Sequence, residues 1–400
     1  MTTPDLSVIV VHHRGLDHLL EGLAALDAAI SGLSAEVVLV DNTGGAPLGE
    51  VFRRHPSVRH VVSGGNAGFA RGCHLGAEAA GAPIILFVND DAAVEKDAPE
   101  LLAEALAGAP EDVVAVAGRL TDQTGTRNDF SDGFLTFDGH AFQRDTGAPL
   151  ASLPPVRPGE ERLFACGGLM AARREEFLSS GGFDEDYFAY LEDVDFGWRQ
   201  WIFGWRIVAE PRAAARHRGG ATGEALGIFA RGFLFEKNAF ATAYKNFDEE
   251  HFRALMPAVL AAFLTRAAEM LLVRNPGAER LRRDPYREPP ETTGLLRRLF
   301  GISTPAGGAV SIEDPLTVAQ LQALLWIHRN QEALAAKRKA VQARRRRADA
   351  EIFAKFPLRL VPTYPGDERF DSAFFKEFLR GSPLLVETTL AEIFGAVQRA

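Results

Sequence analysis

Two cysteines in 400 residues, Cys73 and Cys166, are too few for a disulfide framework or a zinc cluster and fit a reducing compartment. No run of about 18 uncharged apolar residues occurs, so no membrane-spanning helix is expected. Met1-Thr2-Thr3-Pro4-Asp5 lacks the basic and apolar regions of a secretory signal, so none is expected. A net charge of −9 argues against bulk nucleic-acid binding. No internal repeat is visible. The first strand-like run leads into His12-His13-Arg14-Gly15 instead of G-x-G-x-x-G, which argues against an NAD-type enzyme.

What is present is an ordinary globular composition, 46% hydrophobic and 24% charged, long enough for two or three domains. Strand-like runs at 6–11, 36–41, 58–62, 84–88 and 113–117 alternate with helical spacing at 16–30 and 67–81. That order implies βαβ units and a mostly parallel sheet. Residues 120–160, rich in Asp, Gly, Thr and Pro, read as an irregular insertion. A helix is expected over 191–203 and a short strand over 205–208. Beyond 225 the pattern is helical. An apolar stripe runs from Phe252 to Leu271, residues 275–315 form a Pro/Gly/Arg-containing connection, and a second long helix covers 316 to about 353.

Five constellations carry chemistry. The apolar run Ile84-Ile85-Leu86-Phe87-Val88 stops on Asn89-Asp90-Asp91, and ligands bind beyond the carboxyl ends of such strands. Paired carboxylates there suit Mg²⁺ or Mn²⁺ holding phosphate oxygens, or make an ordinary turn. Asp41-Asn42 closes the second strand, where a carboxylate can accept from a ribose or base, or again simply turn. Gly64 to Gly72 is a glycine-rich loop opening a helix, with Arg71 able to fork onto a diphosphate or carboxylate. Residues 181–199 interleave six acids with aromatics. Apolar walls turn a carboxylate into a general base, whereas acids at a helix start also complement its dipole. His217 stands alone in Arg216-His217-Arg218-Gly219-Gly220, as a metal ligand or a structural ring.

Seven segments in order resemble an inverting family-2 glycosyltransferase of the GT-A fold, in the bacterial branch of rhamnosyl- and galactofuranosyltransferases. They are Ser7–Val11, Val38–Asn42, Gly65–Gly72, Asn89–Asp91, Cys166–Met170, Gly182 to Asp195, and His217–Gly220, and they cover roughly residues 5 to 250. The resemblance implies a Rossmann-like, mostly parallel sheet flanked by helices, with a helical C-terminal extension. Residues 1–250 would be the catalytic domain, and 251–400 would make acceptor, oligomer or membrane contacts.

The same resemblance implies roles. Asp193 would be the catalytic base, with Glu192 beside it. Asp91 and His217 would hold Mg²⁺ or Mn²⁺. Val11, His13, Asp41, Asn42, Asn66, Gly68, Arg71, Asn89, Asp90 and Gly168 would contact nucleotide or substrate, and Trp198 and Tyr190 would wall the sugar. The partners would be a nucleotide-diphosphate sugar and a glycan or lipid-linked acceptor. The setting would be the cytoplasm, with the 252–271 helix packed on the catalytic domain or a second subunit, or else in peripheral contact with the inner face of the plasma membrane. The basic run from Lys337 to Arg347 reads as an exposed face or an aid to membrane contact. The chain departs from the pattern at Asn89, which replaces the first acid of D-x-D, and at His74, where a second Asn is common. Two other classes stay open: a nucleotidyltransferase making the activated sugar, and a non-catalytic nucleotide- or glycan-binding protein. Neither the donor sugar nor the acceptor is read from the sequence.

Overall fold

The segment Leu-Ser-Val-Ile-Val-Val-His forms β1 (Leu6–His12), buried along its whole length, as a strand covered on both faces must be. The computed structural model describes residues 3–219, 221–275, 281, 312–383 and 385–393. After β1 come α1 (Leu16–Ala29), β2 (Ala35–Asp41), α2 (Gly49–Arg54), β3 (Arg59–Val62), α3 (Phe69–Ala79), β4 (Ile84–Asn89), β5 (Ala92–Val94), α4 (Ala98–Ala107) and β6 (Val113–Thr121). The alternation expected from residues 6–118 is therefore present. Helix α3 lies close on β1. A Cβ at Gly76 would fall 2.3 Å from Ile9 Cγ2, and one at Gly72 2.5 Å from Val11 Cγ1.

The insertion is ordered rather than irregular. It holds β7 (Asn128–Phe130), which pairs with β6, and β8 (Gly133–Leu135) with β9 (Ala141–Gln143), a separate hairpin sheet. Three-residue strands bounded by Asp and Gly are too short to show a period of two, so composition alone reads them as loop. Then follow β10 (Glu161–Arg162), β11 (Leu169–Arg173), α5 (Arg174–Ser179), α6 (Glu192–Ile202) and β12 (Arg206–His217). Strand β12 runs nine residues past the expected end at 208. Its register shifts between Ala209 and Ala214, and its alanines lack a β-branched signature.

The main sheet has the order β10-β12-β6-β11-β4-β1-β2-β3. Strands β12, β6, β4, β1, β2 and β3 run in one direction, while β11 and β10 run against them. The result is a mixed α/β sheet, parallel over most of its width, with helices on its faces.

The C-terminal part is helical: α7 (Ala221–Asn246), kinked at Gly227, α8 (Glu249–Arg274), α9 (Pro315–Arg329), α10 (Gln331–Ala343) and α11 (Asp349–Lys355). The single helix expected over 316–353 is thus three, broken at Asn330 and at Arg344–Ala348. Most of the 275–315 connection lies outside the described residues. One apolar cluster runs from Leu6 through Trp198 and Phe247 to Phe375, so these helices share a core with the sheet.

The Lys337–Arg347 run is only partly a solvated face: Lys339, Arg344 and Arg346 are exposed, while Lys337, Arg338, Arg345 and Arg347 are half-buried. Lys337 bonds to Asp184 and Asp186, Arg338 to the carbonyls of Tyr244 and Phe247, and Arg344 to that of Ser179. Arg345 reaches the Asn246 carbonyl, and Arg347 reaches those of Gly204 and Trp205. Cations beside the orphan carbonyls of helix ends are favourable, and here one distal segment supplies them to α5, α6 and α7. Contrary to the expectation that no helix could span a bilayer, α8 contains an 18-residue stretch long and apolar enough to do so, of which 39% is buried. Its Arg266 is buried against Asp138 and Asp367, which anchors this helix inside the protein.

Candidate active site

Strand direction gathers the site. Strands β1, β2, β4, β6 and β12 end at one edge, at His12, Asp41, Asn89, Thr121 and His217, and the reversed β11 begins there at Leu169. In an open α/β sheet this edge is where ligands bind.

On one side stand the acids after β4. His217 Nδ1 lies 2.6 Å from Asp129 Oδ2, while its Nε2 lies 3.1 Å from Asp91 Oδ1 and 3.2 Å from the Asn89 amide nitrogen. Burial works against a charged ring, but hydrogen bonds and charge from Asp129 and Asp91 push the His217 pKa up to about 10. Burial likewise opposes ionisation of Asp91, yet His217 holds it below the usual carboxylate range. The two carboxylates require a cation at Nε2, proton or metal. A carboxylate, an imidazole fixed from behind by a second carboxylate, and a neutral amide make a donor set that fits a divalent ion. Asp90 turns the other way, its Oδ2 2.7 Å from Nδ1 of the buried His12.

The glycine loop lies beside these acids. Asn42 is spent on shaping it: its Oδ1 accepts from Ala67 N at 2.8 Å and Ser63 Oγ at 2.9 Å, and its amide donates to the Gly68 carbonyl at 3.2 Å. His13 contacts the Asn42 carbonyl at 3.0 Å and the exposed Asn66 amide at 3.2 Å. Asp41 accepts from the Thr43 hydroxyl at 2.6 Å and faces His60 at 3.3 Å. Burial opposes its charge, but Thr43 and His60 hold its pKa below the ordinary value. Arg71 pairs with Glu185 across the loop mouth. Val11 sits at the end of β1 with its side chain against Gly72.

On the other side Glu192 and Asp193 open α6. Asp193 Oδ2 accepts from Gly167 N at 3.1 Å and Oδ1 from Val194 N at 2.8 Å. Burial raises its pKa, opposed by those main-chain bonds. Glu192 is buried, its Oε2 has no hydrogen-bond partner, and burial followed by the Asp193 charge drives its pKa well above the ordinary range. Burial raises both adjacent carboxylates, Glu192 more than Asp193, because only Asp193 keeps main-chain donors on its oxygens.

Immediately before them the backbone is strained. Phe188, Tyr190 and Leu191 have φ of 65°, 69° and 64°, three of the four positive values at non-glycine positions among the described residues. Such residues cost about 1–3 kcal/mol each and persist only where surroundings over-determine them. Gly68 is part of that enclosure, since a Cβ there would fall 2.5 Å from the Phe188 carbonyl oxygen.

Trp198 does not wall a sugar. It is fully buried, donates from Nε1 to Asp349 Oδ1 at 3.1 Å, and packs on Phe247 and Phe353. On α6 it lies more than a turn past Asp193 and points to the C-terminal helices rather than to the strand edge. Tyr190 is half-buried and stacks on Phe235 of α7 at 4.7 Å. Gly168 is where β4 and β11 meet: its carbonyl accepts from Asn89 N at 3.2 Å, and a Cβ would crowd Asn89 at 3.0 Å.

Sequence reasoning missed Asp129, which sits in the insertion with no motif around it. It also missed His12, Asn238 and Lys245, whose partners are distant along the chain. A further trio, Asp248, His251 and Asp349, brings its donor atoms within 4.8 Å of one another. The two aspartates cap each other's backbone nitrogens at 2.5 and 2.9 Å, so their oxygens are already occupied structurally.

Fold and strand edge together are those of a mixed α/β protein of the GT-A type. Residues 7–177 match the family described as glycosyl transferase family 2. An N-acetylglucosaminyl-diphospho-decaprenol L-rhamnosyltransferase of Mycobacterium tuberculosis is 29% identical over 237 residues, 54% of this chain and 76% of the relative. A low-salt glycan biosynthesis hexosyltransferase of Haloferax volcanii is 27% identical over 205 residues, 49% of this chain and 61% of that protein. The crystal structure of GalNAc-T7 with UDP, GalNAc and Mn²⁺ superposes with a TM-score of 0.50 at 15% identity, over 65% of this chain. This chain spans about half, 51%, of that structure, a likeness of fold.

Proposed function

We propose that this glycosyltransferase is an inverting, divalent-metal-dependent enzyme. It would move a sugar from a nucleotide-diphosphate sugar, dTDP-rhamnose or a UDP-sugar, to a hydroxyl of a cell-surface glycan or lipid-linked acceptor. One observation carries the reading, a continuous path of contacts across the strand edge. Asp193 holds Gly167 N at 3.1 Å, Gly168 O holds Asn89 N at 3.2 Å, and Asn89 meets His217, which meets Asp91 at 3.1 Å. A poised carboxylate and a cation-binding pair are thus fixed relative to each other.

On this reading Asp91 and His217 hold Mg²⁺ or Mn²⁺, with Asn89 at its margin. The ion supplies charge neutralisation to the departing diphosphate. Asp193 takes the proton of the acceptor hydroxyl, the oxygen attacks the anomeric carbon from the face opposite the diphosphate, and the carbon–oxygen bond to the diphosphate breaks with its electron pair. Configuration at that carbon inverts. Asp41 and the 64–68 loop cradle the nucleoside, and Arg71, released from Glu185, turns to the diphosphate. The rhamnosyltransferase activity of the mycobacterial relative supports rhamnose and a lipid-linked acceptor.

We further take residues 1–250 as the catalytic domain and 251–400 as the region that meets acceptor, membrane or second subunit. Membrane contact at the inner face of the plasma membrane is assigned to the exposed Leu260, Leu264 and Val273 of α8, apolar side chains that face outward.

The test is thermal unfolding with UDP or dTDP, with and without Mn²⁺. Stabilisation that needs both nucleotide and metal, and disappears in Asp91→Ala, is expected. Equal stabilisation with and without metal would overturn metal dependence, and no shift with any nucleotide would overturn the donor class.

A further inference from the structure

Segment 187–191 carries the chain from the glycine loop to the base, and its conformation is held from outside. Ala189 N donates to Tyr187 O at 2.7 Å across Phe188, whose φ 65° and ψ −62° describe the rare, strained form of γ-turn. Phe188 O accepts from Ala70 N at 3.1 Å, so the turn is pinned to the start of α3. Leu191, at φ 64° and ψ 3°, then caps α6 without a side-chain bond. Nothing in the segment's own sequence favours this path, since Phe, Tyr and Leu avoid positive φ.

Asn238 on α7 supplies what is missing. It is 1% exposed, and its amide nitrogen donates to Tyr187 O at 3.1 Å, Ala189 O at 3.0 Å and Tyr190 O at 2.7 Å. Its oxygen accepts from Lys237 Nζ at 2.6 Å, which fixes the amide's orientation and aims its two hydrogens at the turn. Lys237 also donates to the Asp186 carbonyl. Three carbonyls that point the same way around a strained turn repel one another unless one donor serves them all.

We propose that Asn238 is a positioning residue for catalysis: from α7 it holds the 187–191 turn in the conformation that places Asp193 against Gly167. The proposal rests on Asp193 being the base. Asn238 touches no substrate and acts through the turn, and a displacement of about 1 Å at a reacting group can cost on the order of 10²-fold in rate.

The test uses the full-length protein. Release of dTDP from dTDP-rhamnose with a diphospho-polyprenyl N-acetylglucosamine acceptor, and amide hydrogen exchange over residues 187–194, are measured together. Asn238→Ala should lower kcat about 10–100-fold with donor KM within about twofold of wild type, and should speed exchange in the turn. Asn238→Ser, which keeps one donor, should fall between and covers the case in which the alanine variant does not fold. Thr242→Val removes the 2.7 Å bond to the Tyr187 hydroxyl on the same helix, so it should lower Tm while leaving kcat near wild type. Asn238→Ser with wild-type kcat and unchanged exchange, or a kcat loss that merely follows Tm as in Thr242→Val, would overturn the proposal. If instead Asp193→Asn kept full turnover, the base assignment would fall. If wild type released no dTDP, the donor assignment would fall. In either case the exchange data alone would still decide whether Asn238 holds the turn.

Discussion

The 2.6 Å contact between Asp129 Oδ2 and His217 Nδ1 joins a segment that no motif marks to the last strand of the sheet. It fixes which ring nitrogen faces Asp91. Carboxylates placed behind a metal-binding histidine typically govern about 10–100-fold in metal affinity or activity. Asp129→Asn should weaken Mn²⁺ binding by that factor, and should also lower metal-free stability, because it removes one of the two carboxylates that hold the His217 ring charged. Titration of Mn²⁺ in the presence of UDP measures it, and wild-type affinity in the variant would show that Asp129 is only a packing partner.

The Glu192–Asp193 pair predicts a pH profile. As the proposed base, Asp193 would work ionised, and burial lifts its pKa above the ordinary aspartate value. The rate kcat/KM should therefore fall as pH drops through an apparent pKa higher than a free aspartate's. Asp193→Asn should lose about 10²–10⁴-fold and with it that acid limb. Burial and the neighbouring Asp193 charge push Glu192 well above its ordinary value and so favour its neutral form, and Glu192→Gln should retain most of the rate. A large loss in Glu192→Gln at pH 7 would mean that the two roles are exchanged.

Lys245 is a buried ammonium between Asp184 at 2.5 Å and Asp195 at 3.1 Å. Removing one member of such a buried group strands the others, at about 3–5 kcal/mol. Lys245→Met should show that loss in urea unfolding at neutral pH. Burial opposes the Asp184 charge, but Lys245 and Lys337 hold its pKa far below the unfolded value. Its contribution is then present above the unfolded aspartate pKa and is lost as pH falls. Wild type should thus lose more stability on acidification than the variant, and parallel pH curves for the two would refute the account.

Membrane contact through α8 has its own signature. Binding by exposed leucines should survive salt of about 1 M, where charge interactions reach only about 3 Å. Co-sedimentation with anionic vesicles should persist in wild type and fall in Leu260→Asp/Leu264→Asp. Protein that stays in the supernatant at every salt would remove the membrane and leave a second subunit as the occupant of that face.

The parallel half of the sheet was legible because strands buried on both faces read as unbroken Val/Ile/Leu runs, as in Leu6–His12 and Ile84–Asn89. Their order along the chain brought Asp41, Asp91 and Asp193 into view together. What escaped was either short or paired across distance. Asp129 lies in a three-residue strand, and the value of Asn238 comes from carbonyls some fifty residues away. Trp198 misled because an aromatic near acids looks like a sugar platform, whereas helix geometry turns it to the core. The arginines after Lys337 misled because a run of charge normally faces water, and here it meets the ends of three helices.

The reversal of β11 has one more consequence. A strand that enters the sheet where its neighbours leave presents main chain, not side chains, to the shared edge. The Gly167 amide and the Gly168 carbonyl, which link the base to Asn89, are atoms every residue possesses. Mutation cannot remove this linkage chemically. It can only pry it apart by volume, since a methyl group at Gly167 or Gly168 would meet Phe69 or Asn89 at 3.0 Å. The linkage is therefore expected to refuse bulk at two adjacent points, while the buried Leu169–Ala172 beyond it are constrained by packing instead.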